Sequence, residues 1–105
     1  MKQRILILSL FIAASLSTLA QTFTLKGRVI DENNNPVELA SVSCLSQGKA
    51  TVTSLKGEYK MIPRSADSVV VKFSMLGYRT KTRILRHPKG PQTLQVVLLS
   101  DSRTL

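Results

Sequence analysis

Residues 67–80 read DSVVVKFSMLGYRT, and this stretch decides the fold of the chain. Every second residue from 69 to 75 is apolar, which is the period of a β-strand that buries one face. β-Branched and aromatic side chains dominate the run and favour a strand over a helix. The run stops at Gly77-Tyr78, where glycine can adopt backbone angles closed to other residues, and alternation resumes from 79 to 85. The stretch therefore predicts two strands that meet at a Gly-Tyr corner.

The same alternation recurs along the rest of the chain. Further strands are predicted at residues 23–29, 40–44, 49–53, 58–62 and 93–99. Turn formers separate them, with clusters at residues 31–36, 46–48, 55–57 and 87–91. Seven short strands with no helical period predict an all-β fold, either an antiparallel sandwich or a barrel. We expect its interior to include Val71, Phe73 and Leu94.

The first twenty residues differ in composition from the rest. Lys2 and Arg4 precede an apolar run from residue 5 to 14, and small residues lead to Ala20. This order is typical of a secretory signal peptide, whose apolar helix is too short for a stable membrane span. The alternative is an apolar helix that belongs to the fold. We therefore expect a signal peptide (1–20), a β-sandwich domain (21–100), a C-terminal tail (101–105) and export of the protein.

Basic residues outnumber acidic ones. After removal of the signal peptide, thirteen Lys and Arg residues face six Asp and Glu residues, a net charge near +7. Nucleic acid does not suit an exported chain whose aromatic and basic residues are not interleaved. An anionic lipid surface or an acidic protein face suits it better, and a merely solvated strand face is the simplest interpretation. The candidate contact is a basic stripe of Arg79, Lys81 and Arg83, extended by Arg86 and Lys89.

No combination of residues predicts catalysis, a cofactor, a metal site or a small-molecule substrate. Cys44 is the only cysteine, so no internal disulfide can form, and its place in an apolar row predicts a buried side chain. His87 is the only histidine, and zinc binding or nucleophilic catalysis needs more partners. Residues 31–35 have the spacing of calcium ligands, but Pro36 and Val42 stand where a calcium loop needs Gly and Glu. A turn rich in Asx residues is expected instead.

The Gly77-Tyr78 pair is interpreted as a structural corner. We expect the Tyr78 ring to pack against the core and its hydroxyl to bind nearby backbone. The alternative is an exposed contact for a partner.

Three segments resemble the carboxypeptidase-regulatory-like domain, a transthyretin-like (prealbumin-like) sandwich, and the resemblance implies a seven-stranded antiparallel β-sandwich. Residues 27–31, followed by 36–37 and 40–42, are similar to its opening strand, turn and second strand. Residues 53–59 resemble its Thr-Asp-x-x-Gly-x-Phe hairpin, and residues 73–78 resemble its Phe-Ser-x-x-Gly-Tyr segment. The chain departs from the family pattern in turns only, with Asn35 and Leu39 in place of Gly and Ser54 in place of Asp.

The resemblance is strongest to the domain that precedes the plug of TonB-dependent outer-membrane receptors in Bacteroidetes. It implies a non-catalytic periplasmic module, associated with the outer membrane, that docks a protein of the Ton system or a receptor. Because the chain ends at Leu105, we expect either a free-standing domain or a receptor cut short before plug and barrel. The alternative is an independent secreted β-sandwich that binds glycan or a surface protein.

Overall fold

The computed structural model describes residues 21–101. The predicted signal peptide and most of the predicted tail lie outside the described residues. Seven strands follow one another, with a short 3-10 turn at Leu45–Gln47 between the second and third. They are β1 (Leu25–Asp31), β2 (Ser41–Cys44), β3 (Lys49–Val52), β4 (Glu58–Met61), β5 (Ser68–Ser74), β6 (Lys81–Arg86) and β7 (Gln92–Leu98).

The strands form two sheets that pack as a sandwich. One sheet has the order β4-β1-β7, and the other has the order β3-β2-β5-β6. β5 pairs with both β2 and β6 in antiparallel register, so the segment that decides the fold occupies the interior of the larger sheet. The predicted β-sandwich is confirmed, and β5 and β6 meet at the Gly77-Tyr78 corner as expected.

One strand pair departs from the antiparallel prediction. β1 and β7 lie side by side and run in the same direction, with Leu25 opposite Gln92 and Asp31 opposite Leu98. Parallel neighbours need a long connection between them. Here that connection is the whole of β2 to β6, which supplies the second sheet and also β4, the other neighbour of β1. Local alternation predicts each strand but does not specify which distant strand it pairs with.

The core lies between the two sheets and follows the predicted apolar rows. Val71 and Phe73 are fully buried, while Leu94 is half-buried at the margin. Cys44 is also fully buried, in agreement with its predicted role as a small apolar residue. The rings of Tyr59 and Phe73 meet edge to face, with centroids 5.4 Å apart and planes at 70°. This geometry is the one that aromatic quadrupoles favour.

Candidate functional site

Residues 31–35 form a turn closed by a side chain. One carboxylate oxygen of Asp31 accepts the backbone N–H groups of Asn33 and Asn35, both at 2.9 Å. The predicted Asx-rich turn is therefore confirmed, because this oxygen is already occupied by the backbone. The left-handed residue is Asn34 (φ 68°) rather than Asn35, where the related domains have Gly.

The carboxylate of Glu32 joins this turn to the segment after β7. It accepts the backbone N–H of Ser100 at 3.1 Å and the Ser100 hydroxyl at 2.6 Å. These hydrogen bonds favour the charged form and lower the pKa of Glu32 below its ordinary value. Glu32 thus has a structural partner and is not poised as a general acid.

Cys44 and His87 are not placed for chemistry. The Cys44 side chain is fully buried. His87 lies on an exposed loop, where its Nδ1 is 3.8 Å from the carboxylate of Asp67. Within residues 21–101, no cluster of three or more His, Cys, Asp or Glu side chains could hold a metal ion.

The Gly77-Tyr78 corner is tied to the chain that follows β7. Gly77 has a φ of 89°, which a side chain would disfavour, and its carbonyl accepts the N–H of Asp101 at 2.9 Å. The N–H of Arg79 binds the carbonyl of Leu99 at 2.8 Å. Tyr78 is half-buried and packs against the core. The corner therefore joins the two sheets through the segment that follows β7.

The hydrogen bond expected of Tyr78 is made by another tyrosine. Within the described residues, it is the Tyr59 hydroxyl that donates to a backbone carbonyl, that of Leu94, at 2.8 Å. Gly27 makes this possible, because a β-carbon there would lie 1.7 Å from the same carbonyl oxygen. Burial raises the pKa of Tyr59 to about 12, so the hydroxyl is kept neutral as a donor. The sequence showed Gly27 and Tyr59 but not their contact, which depends on the β4-β1-β7 register.

The predicted basic stripe lies on an edge strand. β6 has a partner only on the β5 side, and Lys81 and Arg83 stand opposite Phe73 and Val71, which are fully buried. They therefore share the inner face of the sheet, at its open margin. Lys81 directs its ammonium group to the carbonyl of Val97 on β7, at 3.5 Å. Inward-pointing charges on an edge strand discourage pairing with a second chain.

The five predicted contact residues do not all share one face. Side chains on β6 alternate between the two faces of the sheet. Arg86, which stands opposite Ser68, is three residues from Arg83 and so projects from the outer face. Arg79 precedes β6, and Lys89 lies in the loop beyond it. The structure thus places Lys81 and Arg83 on the inner face and Arg86 on the outer face, with Arg79 and Lys89 beyond the two ends of the strand. We call Arg86 and the loop residue Lys89 the outer group. The sequence could not show which row of β6 faces inward, because the uncharged row of Thr82 and Ile84 alternates as regularly as the basic row.

The chain belongs to the CarboxypepD_reg-like domain family. The family profile matches residues 25–105, which covers every strand described above. The resemblance seen in the sequence is therefore confirmed. Members of this family are regulatory-like β-sandwich modules that are generally non-catalytic.

Solved structures share the sandwich at low sequence identity. Catechol 1,2-dioxygenase from Acinetobacter radioresistens matches 84% of this chain and 55% of its own length, with a TM-score of 0.63 and 13% identity. A type II cohesin–X-dockerin complex from Acetivibrio cellulolyticus matches 74% of this chain and 58% of its own, with a TM-score of 0.64 and 16% identity. The chain thus spans little more than half of either structure. At such identities the likeness shows the fold alone.

No curated protein has a significant sequence match to the chain. Among the residues that the structure describes, no helix is long and apolar enough to cross a membrane.

Proposed function

We propose that the protein is a non-catalytic periplasmic module that docks a protein component of TonB-dependent uptake. The observation that carries this proposal is the family match over residues 25–105. Within that family, the sequence around Gly77-Tyr78 most closely resembles the form of the domain found in TonB-dependent receptors. The signal-like composition of residues 1–20 supports export, and the Cys44 and His87 environments offer no reacting group. The module would act by positioning a partner.

The arrangement of aromatic rings favours protein docking over glycan binding. Sugar-binding surfaces need an exposed aromatic face on which a sugar ring can stack. Within residues 21–101, Phe23, Tyr59 and Phe73 are buried in the core and Tyr78 is half-buried against it. Glycan binding therefore remains the weaker candidate.

The outer group of the basic stripe is the contact surface we propose for this function. Arg86 and Lys89 are exposed, and Arg83 extends the positive charge to the margin of the same edge strand. An acidic face on the partner would meet them. Rim charges of this kind affect chiefly the rate of association and its dependence on salt.

The proposal is tested with the full chain, tagged at its C-terminus and expressed in a Gram-negative host that has TonB-dependent receptors. We expect it in the periplasmic fraction, and we expect crosslinking followed by purification to recover a receptor or a Ton-system protein. Retention of the chain in the cytoplasm, or recovery of neither kind of protein, would contradict the proposal.

Reversing the charge of basic residues on β6 tests whether this edge is the surface that contacts the partner. Arg83→Glu combined with Arg86→Glu is expected to reduce recovery of the partner by about tenfold or more. Lys72→Glu is the control, since Lys72 is exposed on the outer face of β5 and carries the same charge. Equal recovery with both variants would remove the β6 edge from the proposal.

A further inference from the structure

A second basic surface lies on the opposite side of the sandwich from β6. It is the outer face of β4 and β1, where β3 runs beside β4. A concavity of about 870 Å³ covers this region. Its floor is Lys26, Arg28, Glu58, Lys60, Thr93 and Gln95, and its rim is the end of β3 with Thr53 and Ser54. We call it the β3–β4 cleft.

Two ammonium groups share the floor of this cleft, and neither forms an ion pair with a described residue. Lys26 on β1 stands directly opposite Lys60 on β4. Both side chains are exposed, and within residues 21–101 neither has a hydrogen bond or an ion pair. Like charges directly opposite each other on a sheet destabilise it. The pair therefore weakens the fold unless an anion lies between the two groups.

The register places these two lysines in the closer of the two kinds of antiparallel pair. The N–H of Val29 binds the carbonyl of Gly57 at 2.8 Å, so that pair is a hydrogen-bonded one. Pairs alternate along an antiparallel ladder, which makes Lys26–Lys60 a non-hydrogen-bonded pair. Side chains approach more closely in such pairs, with Cα atoms about 4.5 Å apart.

The neighbouring charges leave the floor of the cleft with a net positive charge. Glu58 is the one carboxylate among the described residues that line the cleft, and it stands directly opposite Arg28. Arg28 also donates from Nε to the carbonyl of Lys56, at 3.2 Å. Three cations (Lys26, Arg28 and Lys60) therefore share this face with one carboxylate, and the face remains positive.

The cleft also offers free backbone groups along its rim. Lys60 is in a non-hydrogen-bonded pair with β1, so its own N–H and C=O point away from that strand. On β3, the N–H of Thr53 binds the carbonyl of Ala40, so the next pair, Val52 with Ser41 on β2, is a non-hydrogen-bonded one. The N–H and C=O of Val52 therefore point away from β2. Both strands are at the edges of their sheets, where unpaired main-chain groups can bind an extended segment.

We infer that the β3–β4 cleft binds an acidic segment of a partner protein in extended conformation. Carboxylates of the segment contact Lys26 and Lys60, and its main chain meets the outward N–H and C=O of Val52. This inference takes from the proposed function only that the domain docks a protein. The inference adds a second docking surface, distinct from β6, and specifies that its ligand is acidic and extended.

The test uses synthetic peptides, so its result is independent of the crosslinking experiment. The probe is a fluorescein-labelled peptide of about ten residues in which Glu and Thr alternate, and the control peptide has Gln in place of Glu. We expect fluorescence anisotropy to show saturable binding of the Glu peptide alone, weakening as the NaCl concentration rises from about 50 to 300 mM. Equal binding of both peptides, or binding of neither, would overturn the inference.

Lys60→Glu is the decisive variant. It is expected to weaken peptide binding by about tenfold or more, because it replaces attraction by repulsion at the floor of the cleft. It also creates an opposite-charge pair with Lys26, so its thermal midpoint should be equal to or above that of the wild type. Loss of binding could then not be attributed to unfolding. Lys72→Glu, on the outer face of the other sheet, should leave affinity within about twofold.

A backbone variant tests the extended arrangement. Val52→Pro removes an N–H that no ladder bond uses, and edge strands tolerate proline at such positions. Peptide binding should weaken by about threefold or more while the fold is retained. Unchanged affinity in this variant would overturn the extended arrangement. Binding of anionic phospholipid vesicles without binding of the peptide would overturn the choice of a protein segment.

Discussion

At the scale of single residues, Leu39 is the clearest case of local strain. Its φ of 61° lies in the left-handed region, where a β-carbon costs about 1–2 kcal/mol. Its side chain is 61% exposed, so packing does not offset that cost. Related domains usually have Gly before Ala40, and the sequence alone therefore marked this position as unusual. What the sequence could not give was the sign of φ.

Leu39→Gly is expected to stabilise the domain. Relief of the left-handed strain outweighs the extra entropy of glycine in the unfolded chain, for a net gain of about 0.5–1 kcal/mol. Urea unfolding followed by circular dichroism should show a higher midpoint. Leu45→Gly is the control, since Leu45 is also exposed but has no positive φ, and its midpoint should fall slightly. A lower midpoint for Leu39→Gly would contradict the assignment of strain.

Thr53 fixes the loop that leads into β2. It is 1% exposed, and its hydroxyl donates to the carbonyl of Val37 at 2.5 Å and accepts the N–H of Ala40 at 2.9 Å. Both partners lie more than a dozen residues away, so the sequence identified Thr53 only as the start of a hairpin. Ser54, which replaces the usual Asp, still accepts the N–H of Glu58 through its hydroxyl at 3.2 Å.

Thr53→Val is expected to destabilise the domain by about 1–3 kcal/mol. The change keeps the shape of the side chain but leaves a buried carbonyl and a buried N–H without partners. Calorimetry should show a lower melting temperature than for Thr82→Val, which alters an exposed threonine on β6. Equal melting temperatures in the two variants would show that the buried hydroxyl contributes nothing.

Tyr59 should make the protein sensitive to base. Burial raises the pKa of Tyr59 to about 12 in the folded protein, from an ordinary value of 10.0 that applies to the unfolded chain. A raised folded pKa means that its contribution to stability is complete below pH 10 and is lost as the pH rises towards 12. Unfolding midpoints should therefore fall over this interval in the wild type and fall less in Tyr59→Phe. Tyr78→Phe, which alters the half-buried tyrosine, should retain the wild-type slope.

At the scale of elements, β6 shows what alternation can and cannot predict. The strand itself was predicted close to its observed bounds, and so was the alternation of charged and uncharged residues. The choice of inner face depends on the register with β5, which places Leu85 opposite Val69 and hence Lys81 and Arg83 on the core side. A one-residue shift would exchange the faces, and only the buried row of β5 excludes it.

Replacing the inward charges of β6 should expose this edge to self-association. Lys81→Val combined with Arg83→Val would extend the apolar row of Leu85 along the open margin. We expect an equal or higher melting temperature at low concentration, together with oligomers or aggregates at high concentration. Thermal unfolding at low concentration measures the stability, and light scattering after size-exclusion chromatography measures the oligomers. A variant that stays monomeric at all concentrations would show that the charges do not protect the edge.

The β3–β4 cleft was not predicted, for a related reason. Lys26 and Lys60 are far apart in the sequence, and each follows the ordinary alternation of an outward-facing residue. Only the antiparallel register of β1 and β4 brings them together. The sequence period predicts which face of the sheet a side chain is on, whereas only the register between strands shows which side chains lie next to it.

At the scale of the whole molecule, the fold class was predictable because the buried residues of β4 and β5 follow the local period of two and the other strands approach it. The order of strands in the sheets was not, since β1 pairs with the most distant strand in the sequence. The excess of positive charge is also a property of the whole, and it acts on stability through self-repulsion.

Moderate salt is therefore expected to stabilise residues 21–105. Raising NaCl from about 20 to 200 mM shortens the Debye length and screens repulsion within a domain of net charge near +7. The gain should be about 1 kcal/mol in the free energy of unfolding, measured by urea titration. It should be smaller in Lys60→Glu, where one repulsive pair has become attractive. Destabilisation by salt would instead indicate that attractive ion pairs dominate.

The parallel pairing of β1 with β7 has a mechanical consequence. The polypeptide comes into the sandwich at one end of this pair and departs at the other, about 23 Å away along seven extended residues. Tension between the two ends would slide the strands lengthwise past each other. All the hydrogen bonds joining them would then carry the load together instead of opening one after another. A module tethered on both sides would keep its length under pulling forces that would unzip a hairpin.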